Sequence, residues 1–435
     1  MDSGPRIQDL RDEATRLLTI LGSQARRAYV VEVTGTPKAG KSTGISMLEN
    51  FFKDCGFRVH VLRERAALCP LKMKGHFFFN TWTSCTMLAE LLEVVDSPCD
   101  LVILDRGFLD ALIWLELQRR RGQVSEKERR AFEQFMMLDR WRTLVDVTVL
   151  MSVKPSEAMQ REQRDKLISR AGSLMNLHAL AELNTAIASV AKRHAQSLPL
   201  IRVDAGGIDQ KRTIGHIVET LLPRMSAWAD PFVASVRRSE LTAFFGTGKA
   251  VAWDAARWRK LTKHAISTRR RSQLEGTDEF VQLVACGIQT REGGIFAFAR
   301  SPDDKRAPYG LRTIWQGCHI AIGRNDRTTL KRVQRCLEDR LRQNLHLEIQ
   351  FAPRPVGFVW EPENQRESRH MGVVFEVPIE DELVGDHLRE KAFKTNGRGH
   401  QLLSRFSKPT ELLSKQEDLS LEPWSCAILE ASWLK

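Results

Sequence analysis

One stretch constrains this chain more than any other: Val30-Val31-Glu32-Val33-Thr34-Gly35-Thr36-Pro37-Lys38-Ala39-Gly40-Lys41-Ser42-Thr43. A short apolar run enters a glycine-bounded loop that closes on Gly-Lys-Ser-Thr. The spacing is G-x-x-x-x-G-K-[ST], with a strand before it and a helix after it. Gly35 and Gly40 permit backbone conformations in which successive N–H groups turn inward on phosphate oxygens. Thr36, Pro37, Lys38 and Ala39 span the two glycines. Lys41 reaches the β/γ-phosphates and Ser42 offers a hydroxyl to Mg²⁺. Thr43 lies in the first turn of the following helix, whose N-terminus adds its positive dipole end. The ligand this pattern calls for is a nucleoside triphosphate, expected to be ATP with Mg²⁺.

A loop of this kind serves one domain, and the chain has 435 residues. At roughly 100–200 residues per domain, two or three domains are expected. With 42% hydrophobic and 28% charged residues the composition is globular. Apolar runs stay short of the roughly 18 residues a membrane span needs, and the N-terminus lacks a charged-then-apolar signal pattern. The 8 cysteines are scattered, with no C-x-x-C pair, so neither a zinc site nor a disulfide framework is indicated. A reducing cytoplasm is the expected compartment. The net charge of +12 suits an anionic ligand, either nucleotide or nucleic acid, and simple solubility explains it as well.

Reading outward from the loop, 6–26 carry apolar residues at helical spacing. This N-terminal helix (1–27) should pack beside the first strand. Arg58–Leu62 reads as a second strand that delivers Glu64 past its carboxyl end, where open α/β sheets meet their ligands; a surface ion pair is the plainer use of that residue. Phe77, Phe78, Phe79 and Trp82 form an aromatic stretch preceding a helix, suited either to the core or to stacking a base. Cys99–Leu104 is a buried parallel strand ending in Asp105-Arg106. A carboxylate there can hold Mg²⁺ through water and a guanidinium can grip a phosphate. Asp146–Val153 is a further strand. The helix behind it carries Arg161, Arg164 and Arg170, read as a lid closing on phosphates or as a solvated charged face. Leu198–Val203 is the last strand, and a helix runs on to about Met225. Strand and helix thus alternate about five times over 28–225, which is a parallel, doubly wound sheet.

The loop Gly35–Thr43, Glu64, Asp105-Arg106 and the arginine helix occur in the order found in the thymidylate kinase and deoxynucleoside kinase superfamily, which 28–225 resembles. The resemblance implies transfer of the ATP γ-phosphate to a nucleoside or nucleoside monophosphate. It implies that Asp105-Arg106 lie beside acceptor and metal, and that Glu64 approaches the sugar or acts as base. The loop departs from the pattern of many thymidylate kinases, with Lys38 where they carry an acid. No Asn-Lys-x-Asp follows, which argues against a GTPase.

Residues 226–278 read as a basic helical connector, with Arg257, Arg259, Lys260, Lys263, Arg269, Arg270 and Arg271. Such a run is a solvated face or a nucleic-acid surface. From 279 the pattern turns to strands: Val281–Thr290, a Gly293-Gly294 turn, Ile295–Arg300, Leu345–Pro353 and Arg369–Val377, with one helix near 328–344. This α+β half (279–435) resembles a Nudix domain by element order. Aligning Arg335 with the arginine of that family's motif puts Cys336 and Arg340 where metal-binding glutamates belong, and leaves Asp339 as the one acid. The resemblance therefore implies a fold without hydrolysis, kept for binding or regulation. The expected protein is a small-acceptor kinase fused to that module. A nucleotide-sensing regulator and a polynucleotide-end kinase are the alternatives. A second copy of the chain is a further candidate partner.

Overall fold

The computed structural model describes residues 7–22, 27–71, 75–95, 97–164, 174–207, 209–275, 277–299, 312–323, 327–345, 350–364, 367–380, 384–385, 388, 406–431 and 433. The chain divides into two compact units, Met1–Ala229 and Asp230–Lys435. The boundary falls close to the end of the expected kinase-like region, but most of the residues read as a connector, 230–278, belong to the second unit.

The first unit runs α1 (Ile7–Gly22), β1 (Tyr29–Gly35), α2 (Lys41–Asp54), β2 (Val59–Leu62), α3 (Phe77–Val94), β3 (Leu101–Asp105), α4 (Phe108–Arg120), α5 (Glu126–Met136), α6 (Asp139–Arg142), β4 (Val147–Ser152), α7 (Pro155–Arg164), α8 (Leu177–Arg193), β5 (Leu200–Asp204) and α9 (Gln210–Ala229). The five strands form one sheet in the order β2-β3-β1-β4-β5, every neighbour parallel. A parallel sheet is covered on both faces, so its inner strands read as unbroken apolar runs. The pleat sorts them. Tyr29, Val31 and Val33 face a core built with Leu17, Ile45, Leu48 and Leu221 from α1, α2 and α9. Val30, Val102 and Leu104 face a second core with Leu91, Leu112 and Ile187 from α3, α4 and α8. The first helix packs on α9 in that first core.

The second unit runs β6 (Phe232–Arg237), α10 (Arg238–Phe245), β7 (Ala250–Ala252), α11 (Ala255–His264), β8 (Ile266–Arg270), α12 (Arg271–Glu275), β9 (Phe280–Arg291), β10 (Gly294–Phe296), β11 (Phe298–Ala299), β12 (Arg312–Thr313), β13 (Gln316–His319), α13 (Leu330–Leu345), β14 (Arg354–Val359), β15 (His370–Pro378), β16 (Phe406–Ser407), α14 (Pro409–Ser414), α15 (Gln416–Leu419) and α16 (Pro423–Glu430). The long strand β9 is its axis. It pairs in parallel with β15 and antiparallel with β6, β13 and β10. Leu283 and Ala285 face a core with Leu241 and Leu337, while Cys286 and Ile288 face another with Leu412 and Ile428. The β9–β10 hairpin turns through Glu292 (φ 51°) and Gly293 (φ 74°), the left-handed pair that two-residue hairpin loops demand.

Two expectations need correction here. Residues 226–278 are not a helical connector, because β6 pairs with β8 and β9 and carries this segment into the sheet. Arg269 lies over the Phe280 ring at 3.6 Å and Arg270 over the Phe232 ring at 4.3 Å, so these arginines cover aromatic surface. The strand expected at Leu345–Pro353 instead occupies Arg354–Val359. Pro355 sits at a register shift in β14, where a missing N–H is tolerated. Among the described residues no helix is long and apolar enough to cross a membrane.

Candidate functional site

The carboxyl ends of β1, β2 and β3 meet at one edge of the first sheet. The phosphate loop leaves β1 at Gly35, whose φ is 132°. A Cβ there would stand 1.8 Å from the Met151 carbonyl oxygen, so the loop passes β4 at a distance only glycine allows. Thr36 N–H donates to that same Met151 carbonyl at 3.0 Å, and Thr36 Oγ1 to Asn184 Oδ1 of α8 at 3.1 Å. Lys38 takes a left-handed φ of 62° within the loop, and Gly40 one of 88° at the N-cap of α2. Ala39 is buried, whereas Ser42 and Thr43 are exposed on the first turn of α2.

Lys41 is buried and folds its ammonium onto the loop, donating to Gly35 O at 3.0 Å and Thr36 O at 2.8 Å. Burial, and then the nearby Arg106, bring its pKa down to about 8. Asp110, Asp105 and Glu64 pull the other way. These four charged residues are therefore the electrostatic company of Lys41.

Arg106 joins them. Its Nε lies 2.9 Å from Glu64 Oε1, and its Nη1 donates to Asp110 Oδ1 at 3.3 Å. Burial disfavours its charge, but Asp110, Glu64 and Asp105 outweigh that and hold its pKa above the ordinary value. Asp105 is half-buried at the end of β3, its pKa raised by burial and then by Glu64. Lys41, Glu64, Asp105 and Arg106, each singled out in the sequence, thus lie together beside the loop. The negative field that Glu64 lays on Asp105 is one that a divalent cation relieves, so Asp105 with the Ser42 hydroxyl fits Mg²⁺. Among the described residues no three His, Cys, Asp or Glu side chains form a metal cage of their own.

The arginine helix is the one read as a lid or as a solvated charged face. Arg161 Nη2 donates to Glu157 Oε1 at 2.6 Å and to Ala205 O at 2.5 Å, and Nη1 to Lys38 O at 3.1 Å. It braces the loop backbone from outside. Lys38 Nζ pairs with Glu162 at 2.9 Å. Arg164 is exposed in the last turn of α7, and Arg170 lies outside the described residues. The aromatic stretch does not precede its helix but forms the first turns of α3. Phe77 packs edge-on against Phe132 in the core at 5.7 Å, Phe79 and Trp82 are half-buried, and Phe78 is 64% exposed.

Sequence reasoning missed Glu32, Thr34 and Asp110. Glu32 is completely buried mid-strand, and its carboxylate accepts from the N–H groups of Gly107, Leu109 and Asp110. Thr34 Oγ1 donates to Asp110 Oδ1 at 2.7 Å. One signal existed: an acid inside an apolar strand must find partners or neutralise.

A family model described as methylmalonyl-CoA mutase-associated GTPase MeaB matches residues 5–65. That span covers α1, the phosphate loop and β2, well under half of the chain. No curated protein matches. A deoxyadenosine kinase from M. mycoides, solved with the products dCMP and a flexible dCDP, is 20% identical with a TM-score of 0.36, over 44% of this chain and 98% of that one. The same kinase with bound dATP gives 20% and 0.35 over the same 44% and 98%. Tm1382, proposed to be a Nudix hydrolase, is 13% identical with a TM-score of 0.31, over 46% of this chain and 97% of its own. Similarities at this level carry no functional argument. The motif, the sheet and the family match together make the first unit a P-loop nucleotide-binding domain.

Proposed function

We propose that the first unit transfers the terminal phosphoryl group of a nucleoside triphosphate to a nucleoside or nucleoside monophosphate. The observation that carries this reading is the grouping of Lys41 with Glu64, Asp105, Arg106 and Asp110 at one sheet edge. Phosphoryl transfer is mostly positioning and charge neutralisation, and this edge supplies both. The loop Gly35–Thr43 holds the phosphates, and Lys41 neutralises charge as it moves to the leaving oxygen. Arg106, steered by Glu64 and Asp110, orients the acceptor. Glu64, half-buried at the rim, contacts or deprotonates the acceptor hydroxyl. Mg²⁺, held through Ser42 and Asp105, would supply further charge neutralisation. The second unit is a Nudix-like module without hydrolase chemistry. In support, Asp339, the one acid at the aligned motif positions, is paired with Arg342 at 3.2 Å.

The test is labelled ATP and labelled GTP offered with a panel of nucleosides and monophosphates. Labelled product with one acceptor is the expected result. Hydrolysis that no acceptor accelerates would overturn the kinase reading. It would favour a nucleotide switch instead, the reading that the GTPase family match supports.

A further inference from the structure

Glu32 is far more elaborately partnered than a strand residue needs to be. Its carboxylate accepts from Gly107 N–H at 3.0 Å, Leu109 N–H at 3.2 Å, Asp110 N–H at 3.1 Å and Thr148 Oγ1 at 3.2 Å. The first three are amides at the start of α4, where a negative charge meets the positive end of the helix dipole. A Cβ on Gly107 would stand 2.8 Å from Glu32 Cδ, so that helix end closes directly on the carboxylate. Immediately before Gly107 stands Arg106, a non-glycine residue with φ 72°. Such a conformation persists only where its surroundings over-determine it. Two anchors do so here. Arg106 N–H donates to Val33 O at 3.1 Å on one side, and the Glu32 clamp fixes Gly107 on the other. The same clamp fixes Asp110, which Thr34 and Arg106 both engage.

We propose that Glu32 is a positioning residue of the phosphate site: ionised and locked to the amide end of α4, it holds Arg106 and Asp110 against the phosphate loop. All four bonds are donated to the carboxylate, so the ionised form is the one the donor set matches. Burial drives its pKa up to about 7, which brings loss of the clamp within the neutral range. Asp110 on α4 is the charged neighbour acting on it directly, and its negative charge adds to the rise. From β4 it meets the neutral Thr148 hydroxyl. Arg106 pairs with that same Asp110 at 3.3 Å, and Asp110 also acts on Lys41.

The inference rests on the phosphotransfer reading for its activity arm alone. That arm compares the pH dependence of kcat/KM in the full chain and in Glu32→Gln, which keeps shape and loses charge. The wild type should lose activity as pH falls through about 7. Glu32→Gln should be lower by at least about tenfold at pH 8 and flat through that region, because a misplacement of 1 Å can cost that much or more. Thr148→Val, which removes one donor from the carboxylate, should move the acidic limb to higher pH. The second arm needs no turnover: amide hydrogen exchange at Gly107, Leu109 and Asp110 should quicken in Glu32→Gln by at least about tenfold, the scale of one charge-assisted hydrogen bond. Unchanged exchange at those amides, or an active wild type whose acidic limb survives in Glu32→Gln, overturns the proposal. A wild type inactive with every acceptor defeats the phosphotransfer reading and leaves the exchange arm to decide the clamp.

Discussion

Arg106 Nε lies 2.9 Å from Glu64 Oε1, tying the residue after β3 to the residue beyond β2. The Glu64 side chain is 39% exposed, so this ion pair contributes little to stability, about 0–1 kcal/mol at most. Its value is in aim. Glu64→Gln should leave thermal stability and triphosphate affinity nearly unchanged, yet lower acceptor-dependent transfer by about 10²-fold or more if the acid takes the acceptor proton. Steady-state kinetics beside a binding titration checks this. Equal losses in nucleotide affinity and turnover would show that Glu64 serves the loop and not the acceptor.

Lys41 makes a prediction whose sign follows from linkage. Its folded pKa of about 8 lies below the ordinary 10.5. Between those values the unfolded chain binds the proton and the folded chain does not, so the wild type gains stability as pH rises through that window. Below pH 8 the buried charge costs stability. Lys41→Met has no such term. Whatever their difference at pH 7, it should move in favour of the wild type by up to roughly 3 kcal/mol by pH 10.5. Urea unfolding at several pH values measures it, and a pH-independent difference would show that Lys41 is not charged and buried in the free protein. The same variant should lose transfer altogether while still melting cooperatively.

How much of this was legible in the sequence depends on how far each residue's partners lie along the chain. The loop, Lys41 and the Asp105-Arg106 pair were readable because strand, turn and helix signals lie next to them. Glu32 was not. It sits in Val30-Val31-Glu32-Val33, where one acid leaves the apolar run intact, and its partners are 75 to 116 residues away. Asp110 hides likewise inside the apolar helix Phe-Leu-Asp-Ala-Leu-Ile-Trp, with its Thr34 partner 76 residues distant. Arg257, Arg259, Lys260 and Lys263 do form an exposed helix face on α11, but Arg269 and Arg270 do not, because charge is visible in a sequence and the rings of Phe280 and Phe232 beneath them are not. The strand expected at Leu345–Pro353 lies later in the chain, and the bulge that accommodates Pro355 within it depends on the opposite strand.

The two neighbouring phenylalanines at the start of α3 should behave differently. Phe77 packs against Phe132 in the core, whereas Phe78 is 64% exposed. Phe77→Ala should destabilise the domain by roughly 2–4 kcal/mol, and Phe78→Ala should stay within about 0.5 kcal/mol. If Phe78 stacks an acceptor base, Phe78→Ala raises the acceptor KM several-fold with kcat held, a loss of uniform binding. An unaltered KM would remove Phe78 from the substrate site and leave it as surface.

Gly35 offers the sharpest separation of conformational strain from steric conflict. Gly35 and Gly207 both have positive φ, 132° and 63°. A Cβ at Gly207 would meet nothing within 4 Å, while one at Gly35 would stand 1.8 Å from Met151 O, 2.7 Å from Met151 C and 2.9 Å from Met151 N. Gly207→Ala therefore carries only the backbone penalty, about 1–2 kcal/mol. At Gly35 the conflict is with the backbone of β4, which cannot yield without giving up its pairing with β1 and with it the Thr36 N–H bond to Met151 O. Gly35→Ala should cost at least about 3 kcal/mol and should abolish triphosphate binding, since the loop amides can no longer converge. Thermal unfolding of both variants with and without ATP reads the two effects together. A Gly35→Ala protein that is still stabilised by ATP would place the phosphates elsewhere than on Gly35–Thr43.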